Sequence, residues 1–195
     1  VLLARHYVQT LPGGYIEEND VTRLLNEKRG DQRTAMVSQD SFYNIWLTYL
    51  FPYHDLPHFN ITQMPRMPQD YQQFLSALNR NPLRMWQLAG VGYLLGPAAM
   101  ATQLPAGQYD LALRYDVTGS ANGSLTVQPN PQGQHAVFAA KAPAPRFALV
   151  GRAEKMPDEQ ALATLASPAW TPFQTLLLPP DTTGEVVDQV ADGSI

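Results

Sequence analysis

The stretch PQDYQQFLSALNRNPLRMWQLAGVGYLL, residues 68–95, decides the fold class of this chain. Its first part predicts a helix over 68–79, because Pro68 suits a first-turn position and Asp70 complements the positive end of a helix. The apolar side chains of this part recur at helical spacing and form one stripe, namely Tyr71, Phe74, Leu75 and Leu78. We therefore expect this helix to pack one face against a core.

The second part of the stretch predicts a short helix followed by a strand. Pro82 opens the helix, which extends to Leu88, and Gly90 and Gly92 bracket a turn. The residues at 93–95 are apolar and predict a buried strand. Two helices that lead directly into a buried strand indicate a protein in which helices flank a sheet.

The N-terminal part predicts another helix and another strand. Residues 19–29 carry an apolar face, a capping residue at Asn19 or Asp20, and Gly30 as a stop signal. The run at 33–37 is β-prone and lies between polar residues, so we expect a buried strand there.

Several strands and one helix are predicted beyond residue 104. Residues 109–117 alternate apolar and polar side chains, and turn residues separate them from 124–128 and 135–141, which predicts a small antiparallel meander at about 107–141. Further elements are expected after this meander: a strand at 146–152, a helix at 158–165 and a strand at 174–178.

Together these elements predict an α/β or α+β fold, with a mixed β-sheet flanked by several helices and the antiparallel meander as an insertion. We expect a single domain over 1–180, since the apolar strand at 146–152 needs cover from the first half of the chain. The tail at 181–195 carries four acids and no base, which is typical of a linker or a frayed end.

The composition excludes several functions. Thirteen Lys and Arg against 17 Asp and Glu give a net charge of −4, which argues against nucleic acid as a partner because such binding needs clustered bases. Seventeen prolines argue against a helix bundle. The absence of cysteine excludes disulfides, zinc–thiolate sites and thiol nucleophiles. The chain has no GxSxG elbow and no Walker sequence, and we predict no catalytic residue in it.

The segment 41–64 is the most aromatic part of the chain and the candidate binding site. Its prolines and asparagines predict a partly helical stretch to about Leu50 and then an irregular loop. Aromatic rings beside Asn and Asp are typical of a sugar-binding groove, because pyranose faces stack on rings while hydroxyls take polar partners. The candidate substrate-binding residues are Tyr43, Asn44, Trp46, Tyr49, Tyr53, His54, Asp55 and His58. The alternative is that these rings pack a core.

The run His54-Asp55-Leu56-Pro57-His58 has a second interpretation. Two imidazoles four residues apart with a carboxylate between them can supply three ligands to Zn²⁺ or another divalent metal. Pro57 disfavours the helix that would place both rings on one face, and the zinc-protease signature needs a Glu beside the first His. We expect no metal or other cofactor, and a metal-dependent hydrolase is the less favoured alternative.

The order of features resembles one known family. The resemblance is carried by a helix and then RTAMV at 33–37, the segment around Tyr43, Asn44 and Trp46, MPQDYQQFL at 67–75, NPLRMWQLAGVGYLL at 81–95, and PRFALVGRA at 145–153 before an acidic helix and an apolar strand. Over residues 20–178 this series resembles the YfhO-type bacterial multi-pass membrane proteins, which are similar to glycosyltransferases that use lipid-linked sugars. The chain departs from that pattern at Gly92, where Lys or Arg is usual.

The resemblance implies an extracytoplasmic domain on the outer face of a bacterial membrane, in a parent integral membrane protein. It implies that a membrane-helix bundle precedes Val1 and that more protein follows Ile195. The parent would transfer sugar from a polyprenyl-phosphate carrier in modification of cell-envelope glycan, with its catalytic carboxylate outside this chain. The implied partners are the protein's own membrane-helix bundle and a glycan or lipid-linked sugar, and this domain would help to position the acceptor. A structural, protein-interaction or carbohydrate-binding module without catalysis is the alternative.

Overall fold

A computed structural model of the chain describes residues 13–60, 66–121 and 123–183. The chain divides into two compact units, each built from two separate segments. The first unit combines Val1–Thr62 with Val91–Pro143, and the second combines Gln63–Gly90 with Ala144–Ile195. The expectation of a single domain over 1–180 stays a prediction.

Helix α1 (Asp20–Lys28) is the first helix of the described residues in the first unit, and it confirms the helix predicted over 19–29. The Asn19 Oδ1 atom accepts hydrogen bonds from the backbone N–H groups of Val21 and Thr22, and the Thr22 hydroxyl accepts one from the Asn19 N–H. This reciprocal capping satisfies N–H groups that have no partner inside the helix. Val21 and Leu25 are fully buried, so the predicted apolar face is the core face.

Helix α2 (Ser41–Tyr53) is longer than predicted, because it runs through Pro52 instead of ending near Leu50. Asp40 caps its start by accepting a hydrogen bond from the Tyr43 N–H at 3.0 Å. Proline removes one hydrogen bond from a helix interior, and here that loss falls in the last turn. Leu50 and its neighbour at 51 are fully buried, so packing of this turn outweighs the local effect of the proline.

A five-stranded mixed sheet forms the centre of the first unit. Its strands are β1 (Arg33–Met36), β2 (Val91–Pro97), β3 (Tyr109–Gly119), β4 (Leu125–Pro129) and β5 (His135–Ala140). Their order is β1-β2-β5-β3-β4, with β1 and β2 parallel and the other pairs antiparallel. A short 3₁₀ turn follows β2 at Ala98–Thr102. The α+β class with a mixed sheet and several helices is therefore confirmed.

Strands β3, β4 and β5 are the three strands predicted at 107–141, but their order is not that of a meander. Strand β4 returns along one side of β3 as a hairpin, whereas β5 pairs with the other side of β3 and with β2. The strands are thus part of the main sheet and not an insertion beside it. Residues 136–138 at the centre of β5 are buried, which explains why this strand takes an interior position.

The second unit contains three helices and a small parallel sheet. Its elements are α3 (Gln69–Leu78), α4 (Pro82–Leu88), β6 (Ala153–Lys155), α5 (Asp158–Ala166) and β7 (Leu176–Leu178), and β6 pairs with β7. The predicted helices at 68–79, 83–88 and 158–165 are confirmed. Pro68 precedes α3 as its cap residue instead of standing in the first turn.

The strand predicted at 146–152 is wrong. These residues form no strand, and Phe147 and Leu149 are 76% and 62% exposed. Pairing begins only at Ala153, where β6 meets β7. An apolar run becomes a strand only where a partner supplies its hydrogen bonds, and no strand of the described residues pairs with 146–152. The predicted tail at 181–195 lies outside the described residues from 184 onward.

The core of the first unit lies between the two helices and the sheet. Its largest fully buried side chains are those of Trp46, Tyr43, Tyr115 and Phe51, together with several leucines. Among the residues that the structure describes, no helix is long and apolar enough to cross a membrane.

Candidate functional site

Helix α2 carries most of the predicted site, but two of the predicted residues lie in the core. Tyr43 and Trp46 are each 1% exposed. The Tyr43 hydroxyl makes a hydrogen bond with the Tyr115 hydroxyl, and the Trp46 Nε1–H donates to the Tyr15 carbonyl at 3.1 Å. In this structure both rings are packed against other protein groups and offer no face to a ligand, so the core-packing alternative holds for these two residues.

The opposite face of α2 is an exposed apolar stripe. Its members follow helical spacing, and their exposed fractions are 47% for Phe42, 58% for Ile45, 54% for Tyr49 and 63% for Tyr53. We call these four residues the α2 stripe. Phe42 and Ile45 were not among the predicted site residues, although the spacing of three, four and four residues along the series from Phe42 to Tyr53 is visible in the sequence.

Asn44 has a local structural role. Its Nδ2 group donates to the Ser38 carbonyl at 2.8 Å and ties the loop before α2 to the helix. Its Oδ1 atom is buried without a partner in the described part of the chain. The side chain is therefore used within the fold and is not presented to a ligand.

The polar groups of the site lie where α2 ends. The His54 Nε2 atom lies 2.8 Å from the Ile16 carbonyl oxygen, and the His54 ring makes an edge contact with the Tyr53 ring at 5.4 Å between centroids. Asp55 follows with a left-handed φ of 53°, which Asp tolerates better than most residues, and its side chain is exposed. An exposed tyrosine, an imidazole and a carboxylate thus follow one another at the end of α2.

His58 lies on the other side of this turn. Its ring packs against Phe51 at 6.0 Å, and its backbone forms a bridge with Thr34 of β1. Across the described segments, no three His, Cys, Asp or Glu side chains are grouped to hold a metal. His54, Asp55 and His58 thus form no three-ligand group within the described segments.

A titratable cluster of two buried tyrosines, Tyr43 and Tyr115, and the half-buried His135 was missed in the sequence. The His135 ring stacks on the Tyr43 ring at 4.4 Å with an interplanar angle of 3°, and it lies 5.7 Å from the Tyr115 ring. Burial raises the pKa of both tyrosines, and burial lowers the pKa of His135 against the opposing attraction of Asp40 and of Asp116. Tyr43 lies 72 residues before Tyr115, and Tyr115 lies 20 residues before His135, so no local sequence pattern could reveal the cluster.

Asp116 stands beside this cluster. Its carboxylate accepts hydrogen bonds from the Gln134 N–H at 2.7 Å and from the Asn130 Nδ2 at 2.6 Å, and these bonds lower its pKa. The Asp116 side chain thereby holds the turn between β4 and β5. Tyr43 and Tyr115 of this cluster belong to the core of the first unit, whereas His135 is partly exposed.

Comparison of the chain with protein-family models, with curated proteins and with solved structures finds no match. The structure adds one observation on Gly92, where the resemblance leads us to expect Lys or Arg. A Cβ atom at Gly92 would lie 2.9 Å from the Cβ and Cγ atoms of Gln32. A long basic side chain there requires Gln32 to move, so this part of β2 is built around glycine.

Proposed function

We propose that the chain is a glycan-binding domain that positions an acceptor glycan for a membrane glycosyltransferase of the YfhO type. The observation that carries this proposal is the pair of exposed rings at Tyr49 and Tyr53, one helical turn apart, with Asp55 and His54 directly after them. All four were predicted from the sequence, and all four are exposed or partly exposed.

The geometry suits a chain of sugars. Four residues advance a helix by about 6 Å, so the two rings form successive platforms along the helix axis. A tyrosine ring offers an apolar face to a pyranose and a hydroxyl to its substituents. Asp55 and His54 supply polar partners at one end of the platforms, as a ligand site needs for orientation.

The membrane context of this proposal is supported by the ordered series of features over 20–178 that resembles the YfhO-type proteins. The domain would lie on the extracytoplasmic face, next to its own membrane-helix bundle, and catalysis would lie in the parent protein outside this chain. In this role the domain lowers the entropic cost of bringing acceptor glycan to a lipid-linked sugar, because it holds the acceptor nearby.

The test is a titration of the isolated chain with a panel of oligosaccharides, followed by calorimetry or by NMR shifts. Tyr49→Ala and Tyr53→Ala are expected to weaken binding at least about tenfold, in line with the loss of an aromatic contact at a binding hot spot. Phe147→Ala is the matched control, since it removes an exposed ring from the second unit. Binding that is absent across the panel, or that both tyrosine variants leave unchanged, contradicts the proposal.

A second candidate function is protein interaction, and the apolar half of the α2 stripe favours it. Phe42 and Ile45 carry no polar group and extend the exposed surface towards the start of the helix. An exposed helical row of this kind fits the groove of a partner. Loss of partner binding in Phe42→Ala and Ile45→Ala, with no glycan bound by the unmodified chain, would support this candidate over the first.

A further inference from the structure

We propose that residues 145–149 of the second unit contact an anionic lipid membrane and place their apolar side chains in its headgroup region. The α2 stripe belongs to the first unit, so this surface and its partner go beyond the proposed function. The proposal depends on the exposure of the apolar side chains, on the anchoring of the segment and on the basic residues beside it.

The segment exposes its side chains without interruption. All five residues at 145–149 are exposed, and the exposed fractions are 76% for Phe147 and 62% for Leu149. The Cα atoms of residues two positions apart are separated by at most about 7 Å, so these two side chains belong to one local surface. Large apolar side chains exposed next to each other indicate a surface that meets a membrane or another protein.

The fold anchors this segment at both ends. A Cβ atom at Gly90 would lie 3.4 Å from the Arg146 Cα atom, so the backbone after α4 packs closely against Arg146. At the other end the Leu176 N–H donates a hydrogen bond to the Arg152 carbonyl at 2.8 Å, where the small sheet begins. Among the described residues, the backbone of 147–151 makes no hydrogen bond with another backbone group. A hydrated headgroup region can solvate such a backbone and the hydrocarbon interior cannot, so the contact is shallow.

Basic residues lie on both sides of the apolar pair. Arg146 precedes Phe147, and its Cζ atom lies 5.5 Å from the centroid of the Phe147 ring. Arg152 follows Leu149 by three residues and is exposed. The sequence from 117 to 153 contains no acid. Positive charge beside apolar side chains matches a surface in which acyl chains lie under anionic headgroups, because both attractions then act on the same segment.

The acids that follow the segment have other neighbours in the second unit. Glu154 pairs with Arg152 at 2.8 Å, but 67% of the arginine side chain and 43% of the glutamate side chain are exposed. An exposed pair of this kind is weakly held, and the guanidinium keeps further N–H groups for a second acceptor. Asp158 and Glu159 line a groove with side chains of α3, and within the described part of the chain no residue of 145–152 lines that groove.

The experiment is sedimentation of the chain with two kinds of vesicle, one of phosphatidylcholine alone and one of phosphatidylcholine and phosphatidylglycerol in equal amounts. Two apolar side chains bind a membrane more weakly than one acyl chain does, so about millimolar lipid is needed. The unmodified chain is expected to bind the anionic vesicles at least about fivefold more tightly than the neutral ones. Added NaCl should reduce this difference, since salt screens the attraction between the bases and the headgroups.

Variants of single exposed residues test the contact. Phe147→Ala and Leu149→Ala are each expected to weaken vesicle binding at least about fivefold, because each removes an apolar side chain from the headgroup region. Leu111→Ala is the matched control, since it removes a leucine that is 56% exposed in the first unit. Glu154→Gln removes the acid beside Arg152 and should strengthen binding to anionic vesicles about fivefold.

Three outcomes overturn this inference. They are absence of binding at millimolar lipid, equal binding to the two kinds of vesicle, and binding that Phe147→Ala and Leu149→Ala leave unchanged. Sedimentation velocity of the chain without lipid tests a second copy as the partner: a dimer that Phe147→Ala dissociates assigns the segment to self-association and also overturns the inference. None of these outcomes bears on glycan binding, for which Phe147→Ala is the control.

Discussion

The side-chain amide of Asn60 makes two hydrogen bonds with the backbone of Met36, on the outer edge of β1. The Met36 N–H donates to Asn60 Oδ1 at 2.7 Å, and Asn60 Nδ2 donates to the Met36 carbonyl at 3.0 Å. Two residues earlier on β1, the Thr34 N–H donates to the Pro57 carbonyl, and the Phe59 N–H donates to the Thr34 carbonyl. The segment that follows α2 therefore protects the edge of the sheet without forming a strand itself.

Asn60→Ala is expected to lower the free energy of unfolding by about 1–3 kcal/mol, because it leaves a buried backbone N–H and carbonyl without partners. Urea unfolding followed by circular dichroism measures the change. Asn60→Asp is the control, since it keeps the acceptor for the Met36 N–H but places an oxygen against the Met36 carbonyl. An alanine variant as stable as the unmodified chain would show that water replaces both bonds.

The Tyr43–Tyr115 hydroxyl pair predicts a double-mutant cycle. Each single Tyr→Phe change leaves the other hydroxyl buried without a partner and is expected to cost about 1–3 kcal/mol. The double variant is expected to be more stable than the sum of the two losses predicts, because neither hydroxyl is then left alone. Additive losses would mean that the two hydroxyls do not depend on each other.

His135 predicts acid sensitivity of the first unit. Its pKa is lowered in the folded state by burial, so the unfolded chain binds more protons than the folded chain as the pH falls through the ordinary histidine range. Stability is therefore expected to decrease from about pH 7 to pH 5. Asp40 and Asp116 face the ring and oppose this effect in part, since both attract the protonated form.

His135→Phe is the matched variant for the pH experiment, because it keeps an aromatic ring over Tyr43 and removes the titrating group. Its urea midpoint should change less than that of the unmodified chain over the same pH interval. Asp116 affects stability in a different pH range. Its pKa is lowered in the folded state, so the stability that its carboxylate contributes is lost only as the pH falls below about 4. Identical pH profiles for the two proteins would assign the effect to other groups.

Two glycines predict opposite responses to alanine. A Cβ atom at Gly96 would lie 2.3 Å from the Val37 carbonyl oxygen, so Gly96→Ala should destabilise the chain by about 1–3 kcal/mol through overpacking of backbone against backbone. At Gly119 the nearest atom would be Leu125 Cδ2 at 4.0 Å, and Gly119→Ala should be neutral or slightly stabilising. Thermal unfolding of the two variants makes the comparison, and a loss of the same size in both would contradict it.

The two faces of α2 predict a separation of stability from binding. Trp46→Ala removes a buried ring and should cost about 3–5 kcal/mol. Tyr49→Ala removes an exposed ring and should change stability by no more than about 0.5 kcal/mol. Chemical denaturation of both variants measures the difference. A large loss in Tyr49→Ala would show that this ring packs against protein and is not a free platform.

The sequence predicted elements that depend on local signals. The capping residue and apolar face of α1 and the spacing of apolar residues in α3 led to the correct helices, because caps and stripes act within a few residues. The prediction over 146–152 failed because strand formation depends on a distant partner that an apolar run does not specify. The prediction that α2 ends near Leu50 failed because it relied on the local effect of Pro52. The buried side chains of Leu50 and Phe51 hold the last helical turn against that effect.

In the candidate site, too, the features that depend on local sequence were predicted and those that depend on distant contacts were not. Sequence reasoning found the aromatic segment and its polar end at His54 and Asp55, but it did not separate the buried rings from the exposed ones. That separation depends on which helix face meets the sheet, and the length of α2 had to be known first. The contact between His135 and Tyr43 depends on the position of β5, which no residue near either of them determines.

Strand β5 joins the parallel pair β1–β2 to the hairpin β3–β4, and it is the last of the five strands to leave the ribosome. A nascent chain that ends before His135 therefore holds two sheet fragments with nothing between them. The segment 63–90, which separates β1 from β2 in the chain, belongs to a unit whose other half begins at Ala144. Synthesis must therefore supply β5 before the five-stranded sheet can be completed, and it must pass Ala144 before the second unit has any of its second segment.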